Sequence, residues 1–274
     1  MKKIITFLII NLFVFGLTFC PYCNKNNKAN AYLGENQKPK MAIVIDDFGS
    51  YDQSGVETLS KCTEKLTCAV LPNVDNTEAN IKQFETLGHE IILHMPMASH
   101  VNLPEDWYGP VYIKNTDSPK TAVSKLESCL KQFENIKGFN IHIGSGISRN
   151  KELMTAIYNY ANQNNLYFLD SRTIETKATE NACLDTSSIY LGRDVFLEAD
   201  KNRSYQGVCN RLLEGAKIAK DQGHSIVIGH VGAEGGENTA KAILDTLPKI
   251  KEMGVEIVPL STVYNLLKET NQNL

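Results

Sequence analysis

The sequence predicts a parallel α/β fold, a (β/α) barrel of seven or eight strands forming a single domain. Two observations carry this. Apolar runs rich in Ile, Val and Leu recur at 41–46, 67–71, 90–94, 138–143, 166–169, 194–197, 225–229 and 255–259. They are continuous rather than alternating, as in strands buried on both faces. Segments of helical period lie between them, so strand and helix alternate to the end of the chain. An open doubly wound sheet fits the same pattern and remains the alternative.

The chain begins with Lys2 and Lys3, then a nearly continuous apolar run from Ile4 to Phe19. A basic start followed by an apolar segment short for a membrane span has the form of an export leader. Three endings fit. Ala29-Asn30-Ala31 suits a signal peptidase and makes Tyr32 the mature start, Leu17-Thr18-Phe19-Cys20 loosely resembles a lipoprotein box, or the run stays as an anchor. In each case the expected location is periplasmic, extracellular or on the outer face of a membrane. Residues 1–31 are thus leader or anchor, 32–40 a polar linker, and 41–270 the barrel domain.

The composition is that of a globular chain. Of 274 residues 42% are hydrophobic and 22% charged, and the net charge is −3. This length buries a sizeable core. No basic run points to nucleic acid, and the only membrane contact expected is through the amino-terminal segment. Cys20 and Cys23 fall beside the leader. The remaining Cys62, Cys68, Cys129, Cys183 and Cys209 are odd in number and widely spread, which is no disulfide framework. One or two bridges remain open in an exported protein, with Cys62 and Cys68 the nearest pair.

Three helices are well marked. In 118–136, Ser118 and Pro119 start the helix, and Val123, Leu126, Leu130 and Phe133 share a face ahead of Gly138. In 203–222, Val208, Leu212, Ala216 and Ala219 do so. The third, 238–253, ends at Gly254, and Pro248 is expected to kink or split it. Segment 96–117 is a long insertion after the third strand, placed to contact substrate as a lid.

Reactive residues in parallel α/β folds lie at the carboxyl ends of strands. Ala42-Ile43-Val44-Ile45 runs directly into Asp46-Asp47. Adjacent carboxylates repel unless a cation or proton relieves them; the plain alternative is a helix-capping Asp47 beside a solvated Asp46. His89 and His224 precede apolar runs and read as structural. His94, His142 and His230 stand at or after the ends of such runs, the same end as the two Asp. Singly each suits a hydrogen-bonded core position. Together they suit one divalent metal, zinc by the donor set of two His and one carboxylate. Such a site activates water for amide or ester hydrolysis, with a second carboxylate as base and a His as acid. His100 has no strand context.

These stretches resemble the divergent polysaccharide deacetylases, relatives of the NodB-homology carbohydrate esterases. The matching segments are Ile43 to Gly49, Gly88 to Met97, Gly138 to Ser145, Leu166 to Thr173, Arg193 to Leu197 and Gly223 to His230, in the family's order. The resemblance implies a distorted (β/α) barrel and one divalent metal. It implies Asp46 as catalytic base, Asp47 and His94 as metal ligands and His230 as catalytic acid. The superfamily's second His position is Ala98 here, so that ligand moves to His142. Asp170, Arg172 and Asp194 are candidates to orient these groups or bind substrate, against plainer roles as a turn cap and ion pair. Val231 stands where the family often has Pro, and Glu198 where it usually has Asp.

The implied function is metal-dependent removal of acetyl groups from an N- or O-acetylated cell-envelope saccharide. A glycan-binding or envelope-organising protein on the same fold is the alternative. A phosphoesterase fits less well, because few basic residues accompany the predicted site.

Overall fold

The computed structural model describes residues 37–199 and 203–272. The leader, its three alternative endings, Cys20 and Cys23, and linker residues 32–36 lie outside the described residues. Strand β1 (Lys40–Phe48) is followed by α1 (Val56–Leu59), β2 (Thr67–Val70), α2 (Thr77–Thr86) and β3 (Glu90–Met97). After a long loop come α3 (Pro119–Leu130), β4 (Gly138–Ile143), α4 (Lys151–Gln163), β5 (Tyr167–Asp170) and α5 (Ala178–Asp185). Two short strands, β6 (Leu191–Gly192) and β7 (Val195–Phe196), precede α6 (Tyr205–Gln222) and β8 (His224–His230). The chain ends with α7 (Gly236–Glu252), β9 (Glu256–Ile257) and α8 (Leu260–Gln272).

Eight parallel strands curl into a (β/α) barrel in the order β6-β5-β4-β3-β2-β1-β8-β7, and β9 pairs with the start of β1. Each expected apolar run contains a strand. The two-residue β6 falls outside those runs, because so short a strand leaves no periodicity to read.

The barrel edges are β6 and β7, and Arg193-Asp194 spans them. The Arg193 N–H donates to the Asp170 carbonyl at 3.1 Å, and the Asp194 N–H to the Ile226 carbonyl at 2.8 Å. The Asp194 carboxylate accepts the Ile226 N–H at 2.8 Å. One dipeptide thus satisfies backbone groups on both sides of the seam, where an unpaired buried N–H is costly.

Local chemistry accounts for the helices. Ser118 Oγ accepts the Thr121 N–H and Ser204 Oγ the Gly207 N–H, each capping a helix start. Helix α3 stops at Leu130, short of the expected 136; Phe133 is still buried in the turn that follows. Helix α7 is not split at Pro248. Pro248 is exposed, while Ala240, Ile243, Leu247 and Ile250 bury the opposite face. Cys62, Cys68, Cys129, Cys183 and Cys209 are all free thiols.

The core has two parts, separated by strand alternation. On β1, Met41, Ile43 and Ile45 pack in the large outer cluster beneath the helices. Ala42 and Val44 instead join Ile92, Tyr167, Leu169, Ile226 and Ile228 in a smaller cluster that fills the barrel. Leu260 and Val263 of α8 and Val258 extend that plug.

Asp194→Ala should lower stability by about 1–3 kcal/mol, the cost of an orphaned buried donor. Urea unfolding of the purified domain measures this; an unchanged midpoint would mean that the seam does not depend on this carboxylate.

Candidate metal centre and active-site cleft

The alternation that fills the barrel also aims the polar residues. Asp46 continues the inward series Ala42, Val44; His94 follows Ile92; His230 follows Ile226 and Ile228. Asn140 and His142 alternate with the outward Phe139 and Ile141 of β4. Asp47 should then point outward, but the β1–β2 register shifts between Ile45 and Phe48, and Asp47 has a left-handed φ of 68°. This bulge turns both carboxylates of β1 into one cleft.

Three ligand atoms converge there. His94 Nε2 lies 3.2 Å and His142 Nδ1 3.1 Å from Asp47 Oδ1, and the two ring nitrogens are 3.1 Å apart. The other nitrogen of each ring faces a carbonyl-type oxygen. His94 Nδ1 is 2.7 Å from Asn140 Oδ1, and His142 Nε2 is 3.0 Å from the Trp107 carbonyl. Both oxygens can only accept, so those nitrogens carry the protons in the neutral rings. Asn140 is fixed in this sense because its Nδ2 donates to Asp46 Oδ1 at 2.7 Å. Two lone pairs and a carboxylate oxygen that is buried and accepts no hydrogen bond therefore face each other. That arrangement calls for a cation. Zinc bonds of about 2.0–2.1 Å in tetrahedral geometry put ligand atoms about 3.3 Å apart, close to this triangle. The residues present fit a divalent metal, and Asp47, His94 and His142 would hold it.

Burial alone would raise the Asp47 carboxyl; without a cation, the His142 and His94 rings hold it well below the usual carboxylate range only by turning protonated nitrogens to it, the place a metal would take. Asp46 is 2% exposed, and burial pushes it up despite the opposing pull of His94 and His230. An ionised Asp46 is thus a stronger base than an exposed carboxylate.

His230 lies across the same cleft, its Nε2 3.9 Å from Asp46 Oδ2. Its Nδ1 is 3.1 Å from Glu198 Oε2, and Glu198 Oε1 accepts the His230 N–H at 3.0 Å and the Thr239 hydroxyl at 2.6 Å. Burial opposes charge on His230, but Glu198 prevails and the pKa is pushed up to about 10. This favours the protonated form of His230. Gly235 makes room for this: a Cβ there would lie 2.5 Å from Glu198 Oε1.

The cleft has a volume of about 430 Å³ and is lined by Asp46, Asp47, His94, His142, His230, Arg172 and Arg193. A second cleft, about 490 Å³, shares Asp47 and His142 and is walled by Tyr51 and Trp107. Both aromatic rings are largely exposed. The insertion expected to be a lid rejoins the sheet at Ile113, whose carbonyl accepts the Ala98 N–H and whose N–H donates to the Pro96 carbonyl, and its Trp107 carbonyl faces His142 Nε2.

Of the other expected residues, Arg172 lines the cleft. Asp170 does not: it shares the outward face of β5 with Phe168 and accepts from the Tyr190 hydroxyl and the Arg172 N–H. Asp194 closes the seam, and its neighbour Arg193 lines the cleft instead. Two basic side chains here weaken the sequence argument against phosphate. His89 accepts the Leu66 N–H, and His100 Nδ1 lies 2.8 Å from Ser145 Oγ. Sequence reasoning missed Asn140, Arg193 and Glu198 as participants. Asn140 was readable, because it precedes His142 by two and shares its face.

Asp47→Ala, His94→Ala or His142→Ala should each abolish stoichiometric zinc uptake in equilibrium dialysis followed by metal analysis. Asn140→Ala should weaken it by about 10–100-fold, the usual effect of removing a partner that orients a ligand. Undiminished binding in the three ligand variants would place the metal elsewhere.

A profile of the divergent polysaccharide deacetylase family matches residues 43–264. The uncharacterized protein YibQ of Escherichia coli is 31% identical over 196 residues, covering 70% of this chain and 58% of that protein. The chain therefore spans less than two thirds of that relative's length. An uncharacterized protein of Agrobacterium tumefaciens shares the fold with a TM-score of 0.75 at 18% identity, over 86% of this chain and 94% of that one. The catalytic domain of a peptidoglycan N-acetylglucosamine deacetylase from Eubacterium rectale does so at 0.55 and 17%, over 82% and 89%. By its motifs, its fold and this match, the chain belongs to the divergent polysaccharide deacetylase family.

Proposed function

We propose that the protein is a metal-dependent hydrolase that removes acetyl groups from an acetylated cell-envelope polysaccharide. One observation carries the reading: a buried carboxylate, Asp46, and His230, held by Glu198, flank a convergent Asp47–His94–His142 triad in one cleft. The family assignment supports it, as does the fold shared with a peptidoglycan deacetylase. The leader pattern of residues 1–31 supports an exported site of action.

A divalent cation held by the triad, zinc by its donors, supplies Lewis acidity at a carbonyl oxygen and lowers the pKa of water. The residues do the rest. Asp46 takes the proton of the attacking water, held in place by Asn140. The water oxygen bonds to the acetyl carbon and the C–N or C–O bond breaks. His230 then gives its proton to the departing amine or alcohol, so acetate and a free amine or hydroxyl result. Trp107 and Tyr51 in the adjoining cleft offer apolar faces on which further sugar units of a polymer can stack.

Acetate release from acetylated glucosamine oligomers and peptidoglycan should require added zinc and stop in Asp46→Asn, while metal content stays near one equivalent. Normal turnover in Asp46→Asn would overturn the mechanism. Saccharide binding without acetate release from any polymer would favour a glycan-binding role.

Glu198→Gln removes the charge that raises His230. The proton of His230, kept up to about pH 10 in the parent, is then lost at lower pH. The alkaline limb of the kcat/KM profile should move down accordingly. A limb that stays in place would exclude His230 as the titrating acid.

A further inference from the structure

Arg172 and Arg193 stand on the wall of the metal-triad cleft and lock each other in place. Arg172 Nη1 donates to the Arg193 carbonyl at 2.8 Å, and Arg193 Nη2 to the Arg172 carbonyl at 2.9 Å. Arg193 Nε also donates to the Ser171 carbonyl, and Arg172 Nε to the Tyr190 hydroxyl. The Arg193 guanidinium lies over the Phe196 ring at 4.9 Å and that of Arg172 over Tyr190 at 5.6 Å. The Arg172 backbone is left-handed, φ 49°, in a turn held by Asp170. Long cationic side chains usually lose much rotamer freedom when they bind something. Here that ordering is already built in.

Carboxylates reach these charges only at longer range, Asp194 and Asp170 towards Arg172 and Asp46, Asp170 and Glu198 towards Arg193. Among the described residues neither guanidinium has an ion-pair partner, and neither Arg172 Nη2 nor Arg193 Nη1 has an acceptor. Glu234, also on the cleft wall, is paired with Arg203 at 3.0 Å. Asp170 and Asp194 are engaged with the Tyr190 hydroxyl and the Ile226 N–H. Burial and the neighbouring Arg172 charge work against the Arg193 cation and outweigh the pull of Asp46, Asp170 and Glu198, and an anion at contact distance would offset them.

We infer that Arg172 and Arg193 form an anion subsite, so that the saccharide processed carries a carboxylate close to its acetyl group. This rests on the deacetylase reading of the same cleft. A carboxylate is flat and singly charged, and it accepts in the plane in which guanidinium nitrogens donate. A doubly charged phosphate would bring more negative charge beside Asp46, Asp47 and Glu234. The carboxylate belongs either to the sugar ring, as in a uronate, or to a lactyl ether on a neighbouring oxygen.

The test compares acetylglucosamine oligomers alternating with glucuronate, oligomers alternating with the lactyl ether sugar, and both after chemical reduction of the carboxyl to an alcohol. With the zinc-loaded protein, kcat/KM should favour one carboxylate oligomer over its reduced form by about 10–100-fold, the range of charge-assisted hydrogen bonds. Which oligomer shows the preference identifies the source of the carboxylate. The ratio should collapse towards one in Arg172→Gln and in Arg193→Gln. Equal rates on charged and reduced oligomers, or a ratio unchanged in both variants, would overturn the subsite. Calorimetric binding of the same oligomers to the unmodified protein decides the matter without turnover. If no oligomer releases acetate but a carboxylate form binds more tightly than its reduced form, the subsite stands and the deacetylase reading fails. If neither form is preferred in binding, the subsite falls.

Discussion

Two carboxylates forced to the same side of one strand are the constraint on which the site depends. A regular β1 would send Asp46 inward and Asp47 outward. The bulge and the left-handed Asp47 instead bring both into one cleft. Neighbouring buried negative charges are tolerated only if cations or hydrogen bonds compensate them. The surrounding residues do so in two groups. His94 and His142 face Asp47, while Asn140 and, at longer range, His230 attend to Asp46. In the proposed mechanism the same division separates a ligand from a base.

Asn140 links the two groups. Its amide nitrogen holds Asp46 and its carbonyl oxygen holds the proton of His94. One side chain therefore fixes both the orientation of the base and the ring nitrogen that His94 offers a metal. Around it, the barrel changes character along its axis. The amino ends of the strands enclose the apolar plug of Ala42, Val44, Ile92 and Ile226, and the next inward positions are the polar groups of the site. The plug gives the polar layer a rigid floor, and the outer cluster beneath the helices holds each strand in register.

Most of the fold was legible because parallel strands buried on both faces leave continuous apolar runs, and each run contained a strand. The exception, β6, is too short to leave a pattern. The polar ends of β1, β3, β4 and β8 were legible for the same reason. Asp170 alternates with Leu169, which points inward, so it lies behind the cleft and holds the Arg172 turn rather than lining the wall. Asp194 and Arg193 illustrate a different limit. Which of two adjacent residues faces the cleft depends on how the seam closes, and that closure involves Ile226, far away in the chain. The Trp107 carbonyl, a backbone group that orients His142, has no side-chain signature at all. Glu198 stood out only as a departure from the usual Asp, and its contact with His230 depends on the room left by Gly235.

The account stands on Asp47, His94 and His142 acting together as a metal site. Zinc K-edge absorption on the loaded full-length protein reads the ligands of the bound ion directly. It should give scattering from two imidazoles and light oxygen donors at about 2.0–2.1 Å. A sulfur shell at about 2.3 Å, or the absence of imidazole scattering, would contradict the account.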